Sequence, residues 1–403
     1  MTETKSAVMC DVQPRVVAFL FFSDGKHWYG GKNYFRALFG AMDADHDRRI
    51  RPVAFIGSNI DSAGFDFPAS VTFVRCSAMN RYSPAWFLDR LCKRYFGRTL
   101  FLNRALVREG VDVVSHCDPR ESGTLPTIAW IPDFQHVHLP HFFSTSELAS
   151  RDSQFKTILD RSDLVIVSSF AARDDLAEFS PSHLDKARVL QFCSMRPDLD
   201  ANGEEDLTSL YGLADQFFYL PNQFWAHKNH RLAVEALARL RERWPQSQIV
   251  CSGALSDYRN PAHIEALRYR IAELGLQDAF KLLGLIPYKH IFRLMLQSSA
   301  VINPSHFEGW STTVEEAKAV GVPLLLSNLP VHREQCPAGE ALFFSPDDSD
   351  DLAMCMDRVL SGNWSSLDLP HVPSALDRHQ NRILGFSRTY QAIVAELSPC
   401  TSP

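Results

Sequence analysis

Short apolar runs alternate with longer helical patterns along nearly the whole chain, and the alternation happens twice. VVAFLFF (16–22), RPVAFIG (51–57), VDVVSH (111–116), TIAWIP (127–132), LVIVSS (164–169) and ARVLQF (187–192) read as buried strands. Helical patterns such as NYFRALFGAM (33–42) and SSFAARDDLAEF (168–179) lie between them. An acidic, Pro/Gly-punctuated stretch, RPDLDANGEEDLTS (196–209), interrupts the pattern and reads as an interdomain linker. It restarts with FFYLPN (217–222), SQIVCSG (247–253), FKLLGLI (280–286), SAVINPS (299–305) and VPLLLSN (322–328), again with helical segments between, and ends in ALDRHQNRILGFSRTYQAIVAEL (375–397). Alternation of this kind predicts an α/β chain whose parallel sheets are covered by helices on both faces. The expected division is a doubly wound domain over 1–198, a second over 199–374, and a helix with a tail over 375–403 that packs back on the first. Two such domains facing one another leave a cleft at the C-terminal edges of their strands, where ligands bind in these folds.

The bulk numbers fit. A chain of 403 residues exceeds what one core usually holds. Hydrophobic residues make up 45% and charged residues 22%, an ordinary globular balance, and the net charge of −6 gives no pull toward nucleic acid. The nine cysteines are scattered without a C-x-x-C pair, which suits reduced thiols in a cytoplasmic protein. The start, MTETKSAVMCDVQPR, has no signal-peptide layout, and VVAFLFF is too short to span a bilayer.

The most informative stretch is NPSHFEGWSTTVEEAKAVGVPLLLSN (303–328), a strand end, a loop, a helix and another strand. Two acids, Glu308 and Glu316, bracket a hydroxyl-rich turn. Gly309 permits close backbone approach beside Trp310. Ser311, Thr312 and Thr313 add hydroxyls next to a helix N-terminus, a place suited to phosphate. Glu308 can accept hydrogen bonds from sugar hydroxyls, and Glu316 from a ribose diol. The plainer reading is that both are solvated glutamates at a helix start. In PNQFWAHKNH (221–230) Lys228 follows a strand and can neutralise a diphosphate, or be one more exposed loop lysine. Trp225 either stacks on a ligand or packs in the core.

This region resembles the E-x7-E stretch of the retaining glycosyltransferases of family 4, which have the GT-B fold: two Rossmann-like domains facing across a cleft. The resemblance continues in FKLLGLIP (280–287), GVPLLLSNLPVHREQC (321–336) and ALFFSPDDSDDLA (341–353), with order and spacing kept over about 217–360. It implies that Glu308 contacts the donor sugar, Glu316 the nucleotide ribose, and the backbone near Ile286 the base. It also implies a diphosphate site at Lys228, Asn222 and residue 223. The family usually has arginine at that last position and this chain has Gln223, as in a bacterial polysaccharide-type branch with the PNQFW-x-HKNH pattern.

The same resemblance makes the first domain the acceptor side. SDGKHWYGGKNYFRAL (23–38), with Gly30 and Gly31, is similar to the family's GGxNY loop. WIPDFQHVHLPHFFS (130–144) stands where the family has His-Asp; Pro132 replaces the histidine, Asp133 is kept, and His136 is the nearest imidazole. His136, His138 and His141 lack a carboxylate or thiol partner in metal context, so no metal is expected. Residues 79–110 hold seven Lys/Arg against two acids, interleaved with Trp86, Phe87, Tyr95 and Phe96. They fit either a contact with the inner membrane face or a helix with a solvated basic face.

The resulting expectation is a cytoplasmic, retaining, metal-independent hexosyltransferase. It would move sugar from a nucleoside diphosphate sugar to a glycan or lipid-linked glycan in polysaccharide or lipopolysaccharide synthesis. Two alternatives remain, a GT-B epimerase or hydrolase on the same donors and a non-catalytic nucleotide-sugar-binding partner of another transferase.

Overall fold

The structure is a computed structural model that describes residues 13–23, 29–199, 205–257, 259–337, 339–364 and 375–397. Parts of the expected linker (200–204), of the first glycine loop (24–28) and of the C-terminal tail (398–403) lie outside the described residues.

Thirteen strands form two sheets among the described residues. β1 (Arg15–Phe21), β2 (Ile50–Ile56), β3 (Thr72–Arg75), β4 (Val113–Ser115), β5 (Thr127–Ile131), β6 (Leu164–Val167) and β7 (Ala187–Val189) lie in the order β3-β2-β1-β4-β5-β6-β7. β8 (Phe217–Leu220), β9 (Gln248–Cys251), β10 (Phe280–Leu282), β11 (Ala300–Asn303), β12 (Leu324–Ser327) and β13 (Leu342–Phe344) lie in the order β10-β9-β8-β11-β12-β13. The pairings are parallel, for example Val17 with Pro52 and with Val113, or Val301 with Leu324 and with Tyr219. Both are the doubly wound sheets expected from the alternation.

Eleven of these strands sit on the apolar runs. β3 and β13 are additional. Each is a short edge strand, and TFVR and LFF are too brief for their periodicity to stand out.

In the second sheet, neighbouring residues face opposite layers. Phe218 and Leu220 of β8 pack with Ile249, Ile302 and Leu325 under the helices His230–Leu240, His263–Glu273 and Ser349–Leu360. Phe217 and Tyr219 point the other way, onto Leu294 and Met295 of Tyr288–Gln297 and Val314 and Ala317 of Thr312–Val320. Burial on both faces explains why these strands read as continuous apolar runs.

By packing, the described chain falls into two compact units. One holds residues up to Trp130, with Ile158–Val165 and the chain from Leu384; the other holds Ile131–Thr157 and Ile166–Ile383. In the first, the end of the helix Ala375–Ala395 is tied to the sheet. Tyr390 donates to Ser115 Oγ at 2.8 Å, and Arg15 donates to the carbonyls of Val394 and Leu397 at 2.7 and 2.5 Å.

In the second unit the strand order reverses between β8 and β11, the position where open α/β sheets bind ligands. The loops 221–229 and 304–311 both leave from there. Gly253, just after β9, sets how closely the first of them can lie. Its φ is +145°, and a Cβ would sit 2.4 Å from the Asn222 carbonyl oxygen. Gly253→Ala is therefore expected to lower stability by about 2–4 kcal/mol through strain and displacement of 221–228. Gly30→Ala serves as control, since Gly30 lies in the helix Tyr29–Ala44 with open space where a Cβ would be, and it should match or slightly exceed the parent. Denaturant midpoints measure both, and equal midpoints for the two variants would refute the close approach.

Candidate functional site

The helix Thr312–Val320 begins in a closed set of hydrogen bonds. Ser311 caps it, its Oγ accepting from the Val314 N–H at 3.4 Å, and Gly321 ends it at φ 73°. Gln335 clamps Ser311 from outside, accepting from its N–H (3.0 Å) and donating to its carbonyl (3.1 Å). Asn303, the last residue of β11, donates to Ser311 Oγ at 2.7 Å and accepts from Asn222 Nδ2 at 3.2 Å. Thr313 closes the ring by donating to Asn222 Oδ1 at 2.9 Å and Pro221 O at 3.2 Å. The Thr313 hydroxyl thus donates within the protein, whereas Ser311 Oγ accepts twice and its own proton has no acceptor among the described residues. Asn222 is a brace between two loops. The N–H groups of Thr312 and Thr313 have no hydrogen-bond partner among the described residues. With the helix dipole they leave positive potential at this end.

Glu308 sits against that end. Its Oε1 accepts from Lys228 Nζ (2.7 Å), Ser305 Oγ (2.6 Å) and Asn303 Nδ2 (3.3 Å). No described residue bonds Oε2, which is left as an open acceptor. Lys228 and Glu308 side chains are only 14% and 8% exposed, so this is a nearly buried ion pair. Burial alone would raise the glutamate's pKa. The Lys228 charge, helped by His332 and the hydrogen bonds, overrides it and holds the pKa at about 2. Lys228 ends the turn Ala226–Lys228. The next residue, Asn229, adopts φ 56° and donates to Pro304 O (3.1 Å) and Pro346 O (2.8 Å). The His306 N–H donates to His227 O at 2.8 Å, so the loops carrying lysine and glutamate are joined along their backbones.

Gln223 is tied down through its side-chain oxygen. Its Oε1 accepts from the Ala254 N–H at 2.9 Å, fastening the loop to the end of β9. Trp225 is partly exposed and faces the Arg259 guanidinium, whose carbon lies 5.4 Å from the ring centre.

Glu316, one turn into the helix, is buried, and among the described residues it accepts one hydrogen bond, from the Tyr288 hydroxyl at 3.1 Å. Burial pushes its carboxyl up to about 7, against a small opposing pull from Tyr288. Ile286 lies half-buried in the turn leading to Tyr288 and packs on the same core layer.

Gly309 explains its own identity. A Cβ there would lie 2.4 Å from Pro132 O and 2.7 Å from Asp133 Cβ. The turn after β11 therefore touches the turn after β5, and Asp133 is brought within electrostatic reach of Glu308. Burial raises the Asp133 pKa, the Gln135 N–H (2.9 Å) opposes this, and the Glu308 charge adds to it. Trp310 anchors the same turn by donating to Phe192 O at 2.8 Å.

His136 is within electrostatic reach of Asp133 but is itself enclosed by protein. It is buried among Phe134, Phe155 and Phe179, and its Nε2 lies 3.1 Å from Asp152. His138 bonds Asp175 at 2.7 Å and lies against Phe307. Among the described residues no group of three or more His, Cys, Asp or Glu is arranged to hold a metal. Gly30 and Gly31 belong to the other unit, within the first turn of Tyr29–Ala44.

Several residues of this network have no signature in the sequence. Ser305, Asn229, Gln335 and Tyr288 act through position alone. Asn303 is the one with a visible cue, a polar residue closing the apolar strand AVIN.

Residues 213–372 match the family model of glycosyl transferases group 1. The chain is 23% identical over 224 residues to the O-antigen chain mannosyltransferase RfbU of Salmonella typhimurium. That alignment covers 54% of each protein, so the chain spans about half the length of this curated relative. Among solved structures it is similar to HepE of Anabaena in complex with UDP and glucose (TM-score 0.69, 16% identity, 95% of this chain and 100% of that one). It is also similar to WaaG, a glycosyltransferase involved in lipopolysaccharide biosynthesis (TM-score 0.58, 13% identity, 94% of this chain and 99% of that one). Two Rossmann-like domains on parallel sheets, as in these structures, are the GT-B fold.

Glu316 gives a test that needs no substrate. Its folded pKa of about 7 lies above the unfolded 4.5, so the stability it contributes is complete below 4.5 and is lost as pH rises through 7. Glu316→Gln cannot ionise and should therefore gain on the parent as pH rises, by about 3 kcal/mol at pH 8 and little at pH 5. Denaturant unfolding at the two pH values measures the gap, and a gap independent of pH would show that Glu316 is not held neutral by burial.

Proposed function

We propose that the chain is a retaining, metal-independent glycosyltransferase of the family 4 type. It transfers a hexose from a nucleoside diphosphate sugar to a glycan or lipid-linked glycan in cell-surface polysaccharide synthesis. The observation that carries this reading is the Lys228–Glu308 pair at the start of the helix Thr312–Val320, with Glu316 eight residues further on, inside the matched segment 213–372. RfbU, by its name a mannosyltransferase of O-antigen, and HepE, solved with UDP and glucose, support the donor class and the polysaccharide setting.

The chemistry follows from the site. Glu308 stays ionised at any physiological pH, so it is an acceptor of hydrogen bonds and not a proton donor. Its open Oε2 orients the donor sugar through a ring hydroxyl. Lys228 and the Thr312 and Thr313 N–H groups stabilise negative charge on the diphosphate as the glycosidic C–O bond breaks. The acceptor oxygen attacks from the face the diphosphate leaves, its proton passes to the departing phosphate oxygen, and the anomeric configuration is retained. Glu316 and the Ile286 backbone hold the nucleoside. Gln223, fastened to Ala254, adds no second positive charge at the family's arginine position, which leaves the lysine and the helix end as the chief electrostatic aids. Asp133, held against Gly309, lines the acceptor approach. The workplace is the cytoplasmic face of a membrane, reached through residues 79–110. Among the described residues no helix is long and apolar enough to cross one.

Substitutions should separate the roles. Glu308→Gln keeps the shape and should lower turnover by about 10²-fold or more while nucleotide affinity stays within about threefold, since the lost charge acts on the sugar. Glu316→Gln should do the reverse, weakening nucleotide binding by roughly tenfold or more. Calorimetry with UDP and GDP, together with a transfer assay in excess EDTA and NMR of the product anomer, reads both. An inverted anomer, or activity that chelation abolishes and manganese restores, would overturn the mechanism. Nucleotide-sugar binding without transfer to any glycan would favour the non-catalytic partner.

A further inference from the structure

Residue 223 is glutamine, yet an arginine from elsewhere in the chain lies beside the same loop. Arg259, in the loop after β9, has a side chain only 6% exposed. Asp257, fully buried, accepts from its Nε at 3.3 Å and from its backbone N–H at 3.0 Å. Arg259 Nη1 donates to Gln135 Oε1 at 3.0 Å, and Nη2 lies 3.4 Å from His227 Nδ1. Burial keeps the His227 ring neutral, its pKa pushed down to about 3, so Nδ1 can accept. The rings of Trp225, Phe142 and Phe143 have their centres 5.4, 5.9 and 5.6 Å from the guanidinium carbon, within cation–π range.

Arg259 either stands in for the absent cation or holds the loops that carry the site. The first role is opposed by Asp257, which already meets its charge in a buried pair, and by the aromatic rings around it. The second is met by its contacts. Asp257 also accepts the Ala226 N–H at 2.9 Å. Trp225, Ala226 and His227 are therefore all held by the Asp257–Arg259 pair, and the next residue is Lys228, the end of the turn Ala226–Lys228. On the other side, Gln135, Phe142 and Phe143 belong to the stretch after β5, where Asp133 lies against Gly309. A guanidinium suits this place because it joins several donors in a rigid fork to a flat face for aromatic rings. An ammonium group is a point charge with neither.

We infer that Arg259 is a positioning residue, which fixes the turn that presents Lys228 to the diphosphate and ties that turn to the stretch after β5. The hold on Lys228 follows from the contacts alone, and only the diphosphate's part rests on the proposed function.

The test uses the full chain. Arg259→Lys keeps a positive charge beside Asp257, so the thermal midpoint should stay near the parent's while the fork and the flat face are lost. Calorimetry with UDP and uridine, and with GDP and guanosine, separates an effect on the diphosphate from a general one. The variant should bind the diphosphate about tenfold more weakly and the nucleoside within about twofold of the parent. In a Lys228→Ala background the same substitution should cost nothing further, because its effect passes through the lysine. Modification of amines by acetic anhydride, mapped by mass spectrometry, needs no ligand. Lys228, with a side chain 14% exposed, should react severalfold faster in Arg259→Lys than in the parent, with Lys156 and Lys281 unchanged. Equal losses for diphosphate and nucleoside overturn the inference. So do losses that multiply in the double variant, or a parent-like Lys228 rate with parent-like UDP and GDP affinities at a matched midpoint. A parent that binds neither nucleotide sinks the transferase reading instead, and the amine rates still decide whether Arg259 holds Lys228.

Discussion

The ion pair between Lys228 and Glu308 is the contact on which the second unit's site depends. Two charges at 2.7 Å, nearly buried, cost a large desolvation that only good geometry offsets. The geometry is supplied by neighbours with no charge of their own. Asn303 and Ser305 complete the shell of Oε1, Asn229 fixes the lysine loop to Pro304 and Pro346, and His306 joins the two backbones. Apart from Pro346, which follows β13, each of these residues ends or follows β8 or β11 at the point where the strand order reverses, which is why so many backbone ends converge there. Removing either charge would leave the other stranded.

Two glutamates eight residues apart end up in opposite electrostatic states. Glu308 lies beside an ammonium group and several donors and is ionised far below neutral pH. Glu316 lies a turn into the helix Thr312–Val320, in the apolar layer between it and Tyr288–Gln297, with one hydroxyl for company. Burial is common to both, so the neighbouring charge decides. The first carboxylate is suited to orienting a polar ligand without exchanging protons. The second gains from any ligand that brings hydroxyl donors, because those would stabilise the charge that burial now opposes.

The helix Pro84–Phe96 shows the same contest settled in the other direction. Its apolar residues Phe87, Leu91, Tyr95 and Phe96 would gain by burial, yet they form an exposed stripe, because Asp89 and Lys93 hold the polar face inward through three backbone N–H groups and two acids. Charge-assisted hydrogen bonds to buried groups are worth more than neutral ones, and leaving them unmade costs more still. The outward stripe is a consequence of that local preference.

The sequence by itself determined the fold class. Eleven of thirteen described strands lie on its apolar runs, because strands buried on both faces must be apolar throughout. It also marked Glu308, Glu316, Lys228, Gly309 and Ser311, whose residue types at the ends of strands and the start of a helix are constrained by local chemistry. It could not place β3 and β13, whose few residues carry too little pattern. It could not show that His136 is a packed core histidine, since an imidazole's partners, here Asp152 and three phenylalanines, come from distant positions. Nor could it show that Ser311 Oγ accepts from Asn303, that Thr313 donates to Asn222, or that Gln223 Oε1 accepts from Ala254. Nothing local distinguishes a hydroxyl facing a ligand from one facing a neighbouring loop. For the same reason the direction of the stripe on Pro84–Phe96 was open: periodicity fixes which residues share a face, and only the tertiary contacts of Asp89 and Lys93 decide which face looks outward.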